Sequence, residues 1–313
     1  PHMTPNTAPA VHIANELAKH HAAMAAGETL AYEQAVHSRD AGLSTEHAAV
    51  LQACRMLGFI EHDAQCVANA WTTQTVRMGE FSMADWPTHA PDFGLQTEPS
   101  LDDFATCPKA LDLYVVVPDA QWVSRMAAAG AMTIQLRFKS DDNDAIHREV
   151  QRAVHAVKGT PSLLFINDHW QAAIDEGAYG VHLGQEDMDD APIALLRQSG
   201  LRLGLSTHGY HEMMRAAAYR PSYLAMGAVF PTTLKRMETA PQGLGRLNAY
   251  AKLMHHMSLV AIGGISEAHV PLVMQSGVGS IAVVRAITGA NDPELAVRSL
   301  QALMDNHTSV VRF

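Results

Sequence analysis

Basic charge is scarce in this chain. Its 22 Lys and Arg stand against 32 Asp and Glu, for a net charge of −10. So acidic a protein has no broad basic surface for nucleic acid, and any anion site has to be local. Long apolar runs are missing too. No stretch reaches the length of a membrane span, so no membrane partner is expected. No basic segment leads into a long apolar core, so no signal peptide is expected. Cysteine is limited to Cys54, Cys66 and Cys107, an odd number without a CxxC. That argues against a disulfide framework and for reduced thiols in a cytoplasmic protein. Histidine is plentiful, at 18 residues, but pairs such as His20-His21 and His255-His256 sit on Ala-rich helical segments without ligand spacing. Metal binding by histidine is therefore not expected.

What is present suits a globular chain: 313 residues, 48% of them hydrophobic, enough for one large or two smaller domains. The leading Pro1-His2-Met3 reads as a cloning scar. Residues 4–86 read as an all-helical N-terminal region, with a candidate cap at Ser44 or Thr45 before "EHAAVLQACRMLGF". From Trp86 to Pro108 the period fails and four prolines appear. Residues 87–110 are accordingly a linker or irregular arm.

From residue 111 to 306 short apolar runs take over: 113–117, 132–137, 162–167, 179–184, 201–206, 222–227, 259–264 and 280–285. Helical spacing fills the gaps, as with Ile146, Val150, Val154 and Val157. Repeated βα units with near-continuous apolar strands imply a parallel sheet. Eight units imply a closed (β/α)8 TIM barrel, and a doubly wound open sheet is the alternative.

The chemistry of such a barrel sits at the C-terminal ends of its strands. "TIQLRFKS", 133–140, sends Gln135, Arg137 and Lys139 to one face, because the strand period is two. Later strand ends carry Asn167-Asp168, His182 with Gln185 and Asp187, Ser206-Thr207-His208, then Thr232, Thr233 and Lys235, then Gly263-Gly264, and finally Val284-Arg285. Each has an ordinary explanation: a solvated edge strand, a helix cap at Asn-Asp, a tight turn at Gly-Gly, loop hydroxyls near Pro231. Their shared position argues for one site. Arg137, Lys139 and Lys235 supply cations for phosphate. Asp168 and Asp187 supply the hard oxygen ligands that suit Mg²⁺. Cations and carboxylates together make sense around a metal–pyrophosphate. Gly263-Gly264 and the backbone after the eighth strand suit a second phosphate.

"QLRFK", "INDHW", "YGVHLGQEDM", "LGLSTH", "GAVFPTTLK", "VAIGGI" and "IAVVRAI" resemble, in order, the motifs of the thiamine phosphate synthase family. The resemblance runs from about Leu113 to Met304. It implies a transferase that joins 4-amino-5-hydroxymethyl-2-methylpyrimidine diphosphate to thiazole phosphate, releasing pyrophosphate. It further implies that Gln135, Arg137, Lys139, Asn167 and Lys235 hold the diphosphate, and that Asp168 and Asp187 hold Mg²⁺. Ser206 is placed near the pyrimidine and leaving group, with Lys235, Arg137 and Ser206 as the catalytic set. Thr232, Gly264, Val284 and Arg285 are placed around the thiazole phosphate. His182 packs beneath the substrate. The expected partners are small phosphorylated molecules, with a second copy of the chain left open.

Two departures from the family pattern fall at the thiazole phosphate end. Leu234 stands where a second Thr is usual, and Arg285 where Ser is usual, so Arg285 is expected to take over part of the phosphate binding. Residues 48–81 resemble the C-terminal helices of hydroxymethylpyrimidine phosphate kinases, but "AGLSTEHA" lacks their Gly-rich anion hole. No kinase activity is expected there, only a structural, dimerising or regulatory role. The competing readings are a thiazole tautomerase, which would not need the whole cation and Mg²⁺ set, and a non-catalytic binding module for thiamine intermediates.

Overall fold

The structure, a computed structural model, describes residues 7–233 and 239–310. Lys235 and Leu234 lie outside the described residues. Four helices come first: α1 (Thr7–His20), α2 (Tyr32–Ala35), α3 (Thr45–Met56) and α4 (Glu61–Met78). Ser44 is the N-cap of α3, its hydroxyl accepting from His47 N at 3.3 Å, a contact worth about 1 kcal/mol.

Eight strands follow: β1 (Asp112–Val117), β2 (Thr133–Leu136), β3 (Leu163–Asn167), β4 (Gly180–Leu183), β5 (Arg202–Thr207), β6 (Tyr223–Met226), β7 (Ser258–Ile262) and β8 (Ser280–Val283). They pair in parallel and in sequence order, β8 returning to β1, so the sheet is a closed barrel. Between them run α5 (Ala120–Ala128), α6 (Asn143–Val157), α7 (Trp170–Asp175), α8 (Ile193–Gln198), α9 (Tyr210–Ala218), α10 (Gly243–Leu253) and α11 (Val270–Met274). Last come α12 (Arg285–Thr288) and α13 (Pro293–Val310). All eight apolar runs are strands, within two residues at either end.

The strands are apolar because both faces are covered. Leu113, Val115, Ile134 and Leu136 point outward into the helical layer. Tyr114, Val116, Phe165, Tyr223, Ala225, Val260 and Ala282 fill the interior. A Cβ on Gly204 would collide with the ring of Tyr223, so glycine there admits a tyrosine to the barrel axis. On α6 the apolar stripe Ile146, Val150 and Ala153 is buried, each large aliphatic contributing roughly 1.5–3 kcal/mol. Asp142 begins that helix by accepting from Asp144 N and Ala145 N.

The N-terminal helices share one hydrophobic core with the barrel's outer layer: Leu17, Val50 and Trp71 belong to the same cluster as Val115 and Leu205. They pack on the α9–α10 side. Residues 87–110 form an arm lying along the barrel. Arg77 binds Asp92 at 2.7 Å, Phe93 stacks on Tyr210 at 5.4 Å, and Ser258 Oγ donates to Pro108 O at 2.9 Å. Among the described residues no helix is long and apolar enough to cross a membrane.

Candidate active site

The sequence-predicted residues that are described all stand at or near the C-terminal ends of the strands. On the β2–β4 side, Arg137 continues the ladder beyond β2, its N–H donating to Val117 O at 2.8 Å while its side chain is exposed. Two residues on, Lys139 Nζ donates to Asn167 Oδ1 at 3.3 Å and to Asp168 Oδ2 at 3.0 Å. Leu136 and Phe138, which alternate with them, pack into the outer core. Asp168 adopts φ +63°, a conformation costing about 1–2 kcal/mol in a residue with a Cβ. It is held there by its N–H to His182 O at 3.0 Å.

Asp187 accepts from Gly184 N at 3.1 Å. Burial pushes its carboxyl above the ordinary range, the Gly184 N–H pulls back, and the charge of Asp168 adds to the rise. Lys139 attracts Asp187 as well. Two carboxylates that repel each other across an open site, with a lysine answering both, have the electrostatics of a divalent cation site. Among the described residues no group of three or more His, Cys, Asp or Glu could hold a metal. The pair would therefore leave most of a cation's coordination to water and substrate oxygens, which fits Mg²⁺ and not a structural zinc.

Below this lies a buried polar chain. Gln135 Nε2 donates to Tyr114 Oη at 2.7 Å, and Tyr114 Oη and Tyr223 Oη are 2.6 Å apart. Tyr223 Oη is 2.6 Å from His182 Nδ1, and His182 Nε2 is 2.7 Å from Ser206 Oγ. Burial pushes both phenols up, so they stay protonated. One arrangement that satisfies every atom has Tyr114 donating to Tyr223, Tyr223 to His182 Nδ1 and His182 Nε2–H to Ser206 Oγ, which leaves the serine O–H to donate into the site. Gln135 thus sits a layer beneath Arg137 and Lys139, at the start of this chain.

On the β6–β8 side, Arg285 Nη1 donates to Thr233 Oγ1 at 2.6 Å. That bond joins the end of β8 to the β6–α10 loop, where Thr232 is half-buried. Val284 is the N-cap of α12. Gly264, at φ +64°, packs so closely on the Phe230 and Pro231 carbonyls that a Cβ would clash with them. The site therefore has two anion-suited walls, one on β2–β4 and one on β6–β8, with His182 and Ser206 between them.

Sequence reasoning missed Tyr114 and Tyr223, which were absorbed into apolar runs. The available signal was a tyrosine at an inward register position, where a buried phenol must find a partner. His182 does more than pack, being bonded through both ring nitrogens.

A family model described as thiamine monophosphate synthase matches residues 113–287. The thiamine-phosphate synthase of Neisseria meningitidis serogroup A is 52% identical over 202 residues, covering 64% of this chain and 98% of that protein. That of Yersinia pseudotuberculosis serotype O:1b is 46% identical over 202 residues, covering 64% of this chain and 94% of its own. A solved structure, thiamine phosphate pyrophosphorylase from Pyrococcus furiosus, superposes with a TM-score of 0.57 at 29% identity, over 63% of this chain and 96% of that one.

Proposed function

The chain belongs to the thiamine monophosphate synthase family, and from that premise we propose how its barrel makes thiamine phosphate. The substrates are 4-amino-5-hydroxymethyl-2-methylpyrimidine diphosphate and thiazole phosphate. The methylene C–O bond of the pyrimidine breaks, its electron pair leaving with pyrophosphate. The thiazole nitrogen then uses its lone pair to form the new C–N bond, and the positive charge ends on the thiazolium ring. No protein nucleophile is required.

The observation that carries this reading is the convergence of Lys139, Asn167, Asp168 and Asp187 on one wall of the barrel mouth, with Arg137 at the end of β2 two residues before Lys139. Arg137 has no ion-pair partner among the described residues, so its guanidinium is available for the leaving group. Lys139 can turn from Asp168 to a phosphate oxygen. Both neutralise charge that grows as the C–O bond breaks. Asp168 and Asp187 would hold Mg²⁺, which supplies further charge neutralisation on pyrophosphate when bound. Ser206, oriented by His182, donates toward the pyrimidine and leaving group. Lys235 joins the diphosphate set by the resemblance of its motif. Thr232, Gly264, Val284 and Arg285 surround the thiazole phosphate.

The N-terminal region carries no kinase chemistry on this reading, and the protein works in the cytoplasm. The second point rests on cysteine usage, Cys54, Cys66 and Cys107 all being free thiols. The test is direct: purified protein with both substrates and Mg²⁺, following thiamine phosphate and pyrophosphate. Stoichiometric formation of both is expected. Absence of both overturns the reading, and ATP-dependent phosphorylation of hydroxymethylpyrimidine overturns the statement on the kinase.

A further inference from the structure

Residues outside the family match hold the two loops that frame the site. The first loop joins β5, which ends in Ser206 and Thr207, to α9. Asp63 of α4 caps that helix from outside, its Oδ1 accepting from His211 N at 2.8 Å. Asp63 is buried, at 3% exposure, so this is an interior contact and not a surface one.

The second loop joins β6 to α10 and carries Thr232 and Thr233. Its returning end is pinned to its outgoing end, Gln242 N donating to Ala228 O at 2.7 Å and Gly243 N to Val229 O at 2.9 Å. Gln242 is held in turn by Tyr250 Oη at 2.7 Å. One turn into α10 stands Arg246, also 3% exposed. Its Nε donates to Met24 O at 2.8 Å and its Nη2 to Leu57 O at 3.0 Å. Its guanidinium lies 3.6 Å over the ring of Phe59. A Cβ on Gly245 would collide with the Ala23 carbonyl, so glycine there lets the extension's backbone lie against the helix. A buried arginine satisfied largely by carbonyls from a separate segment ties its helix to that segment, because the cost of desolvating the guanidinium is offset only while those carbonyls stay in place.

We infer that residues 23–63 are a positioning element of the site, with Arg246 and Asp63 as the positioning residues through which the extension fixes the loops bearing Thr232–Thr233 and Ser206. Arg246 acts through α10 and the base of the β6–α10 loop. That loop is also tied to β8 by the Arg285–Thr233 bond, so a shift at its base reaches the wall suited to thiazole phosphate. Asp63 acts through the start of α9 on the far end of β5. The two contacts therefore have different expected signatures, one on thiazole phosphate binding and one on turnover.

The inference rests on the transferase reading for its kinetic arm, and turnover by the wild-type chain tests that reading separately. Arg246→Met keeps the apolar stem and loses the donors. It is expected to raise the KM for thiazole phosphate by about tenfold, leaving that for the pyrimidine diphosphate within about twofold. Arg246→Lys should recover part of the loss. Asp63→Ala is expected to lower kcat by roughly the same factor, with the thiazole phosphate KM little changed. Calorimetric titration of thiazole phosphate into each folded variant gives the affinity without turnover. Should Arg246→Met not fold, Phe59→Leu withdraws the ring beneath the guanidinium and is expected to move the same KM by a smaller factor. Folded variants with wild-type KM, kcat and thiazole phosphate affinity, altered only in melting temperature, would make the contact a purely structural tie and overturn the inference.

Discussion

His182 stands between a phenol and an alcohol, its Nδ1 2.6 Å from Tyr223 Oη and its Nε2 2.7 Å from Ser206 Oγ. When Tyr223 donates to Nδ1, Nε2 carries the proton that reaches Ser206, and in that arrangement the phenol sets the tautomer. Tyr223→Phe removes that donor and leaves Tyr114 without its acceptor. A net hydrogen bond is worth about 1 kcal/mol, so kcat should fall by roughly five- to tenfold. The same change in a Ser206→Ala background should cost little more, because the chain ends at that hydroxyl. Steady-state kinetics of the double-mutant cycle check this, and additive losses would separate Tyr223 from Ser206.

Asp168 and Asp187 differ in environment although both face the cation-suited space. Asp168 is shared with Lys139 at 3.0 Å, whereas Asp187 accepts a backbone N–H. Removing either charge should weaken metal-dependent anion binding. Titration of pyrophosphate in the presence and absence of Mg²⁺ should show an affinity gain in the wild type. That gain should shrink by about ten- to hundredfold in Asp168→Asn and in Asp187→Asn. The metal-free affinity of Asp168→Asn should hold or rise, because Lys139 is released to the anion.

The eight strands were legible in sequence because a strand covered on both faces has to be continuously apolar, and nothing else in the chain reads so. Arg137, Lys139, Asp168 and Asp187 were legible only as a group: each alone has an ordinary explanation, and their shared place at strand ends set them apart. Tyr114 and Tyr223 were hidden because a phenol scores as apolar in a run, and its polar end becomes visible only when Gln135 and His182 converge on it. The anchoring of the N-terminal region was hidden more deeply. Arg246 meets Met24 across 222 positions, and its partners are backbone carbonyls, which every residue possesses. No side-chain pattern marks such a contact.

Arg285 replaces a hydroxyl with a cation at the β8 end, and the structure gives that cation a local partner in Thr233 Oγ1. The guanidinium has further donors, so one bond to Thr233 sets its direction without exhausting it. Arg285→Ala should raise the KM for thiazole phosphate by about tenfold, the expected loss of a charge-assisted bond to phosphate. Arg285→Ser, the usual family residue, should recover part of it. An unchanged KM in the alanine variant would leave phosphate binding to the backbone alone.

Far from the site, Arg55 joins α3 to two acidic side chains. Its Nη1 is 2.5 Å from Asp40 Oδ2, and its Nη2 is 2.8 Å from Glu61 Oε1. Arg55 and Asp40 side chains are 3% and 6% exposed, while Glu61 is 31% exposed. The Arg55 hydrogen bonds hold the Glu61 carboxyl down at about 2, against an ordinary 4.5. A depressed carboxyl stabilises the fold above its unfolded pKa. That contribution is complete above pH 4.5 and fades as the pH falls toward 2. Partial exposure limits it to on the order of 1–2 kcal/mol. Glu61→Gln should therefore be less stable than wild type at pH 7, and the gap should close on acidification to pH 3 and below. Arg55→Met should be worse at pH 7, by about 3–5 kcal/mol, because it leaves Asp40 buried without its partner. Denaturant titrations of the three proteins at pH 7, 4 and 3 test both statements. A gap between Glu61→Gln and wild type that stays constant across that range would show that the pair contributes nothing through charge.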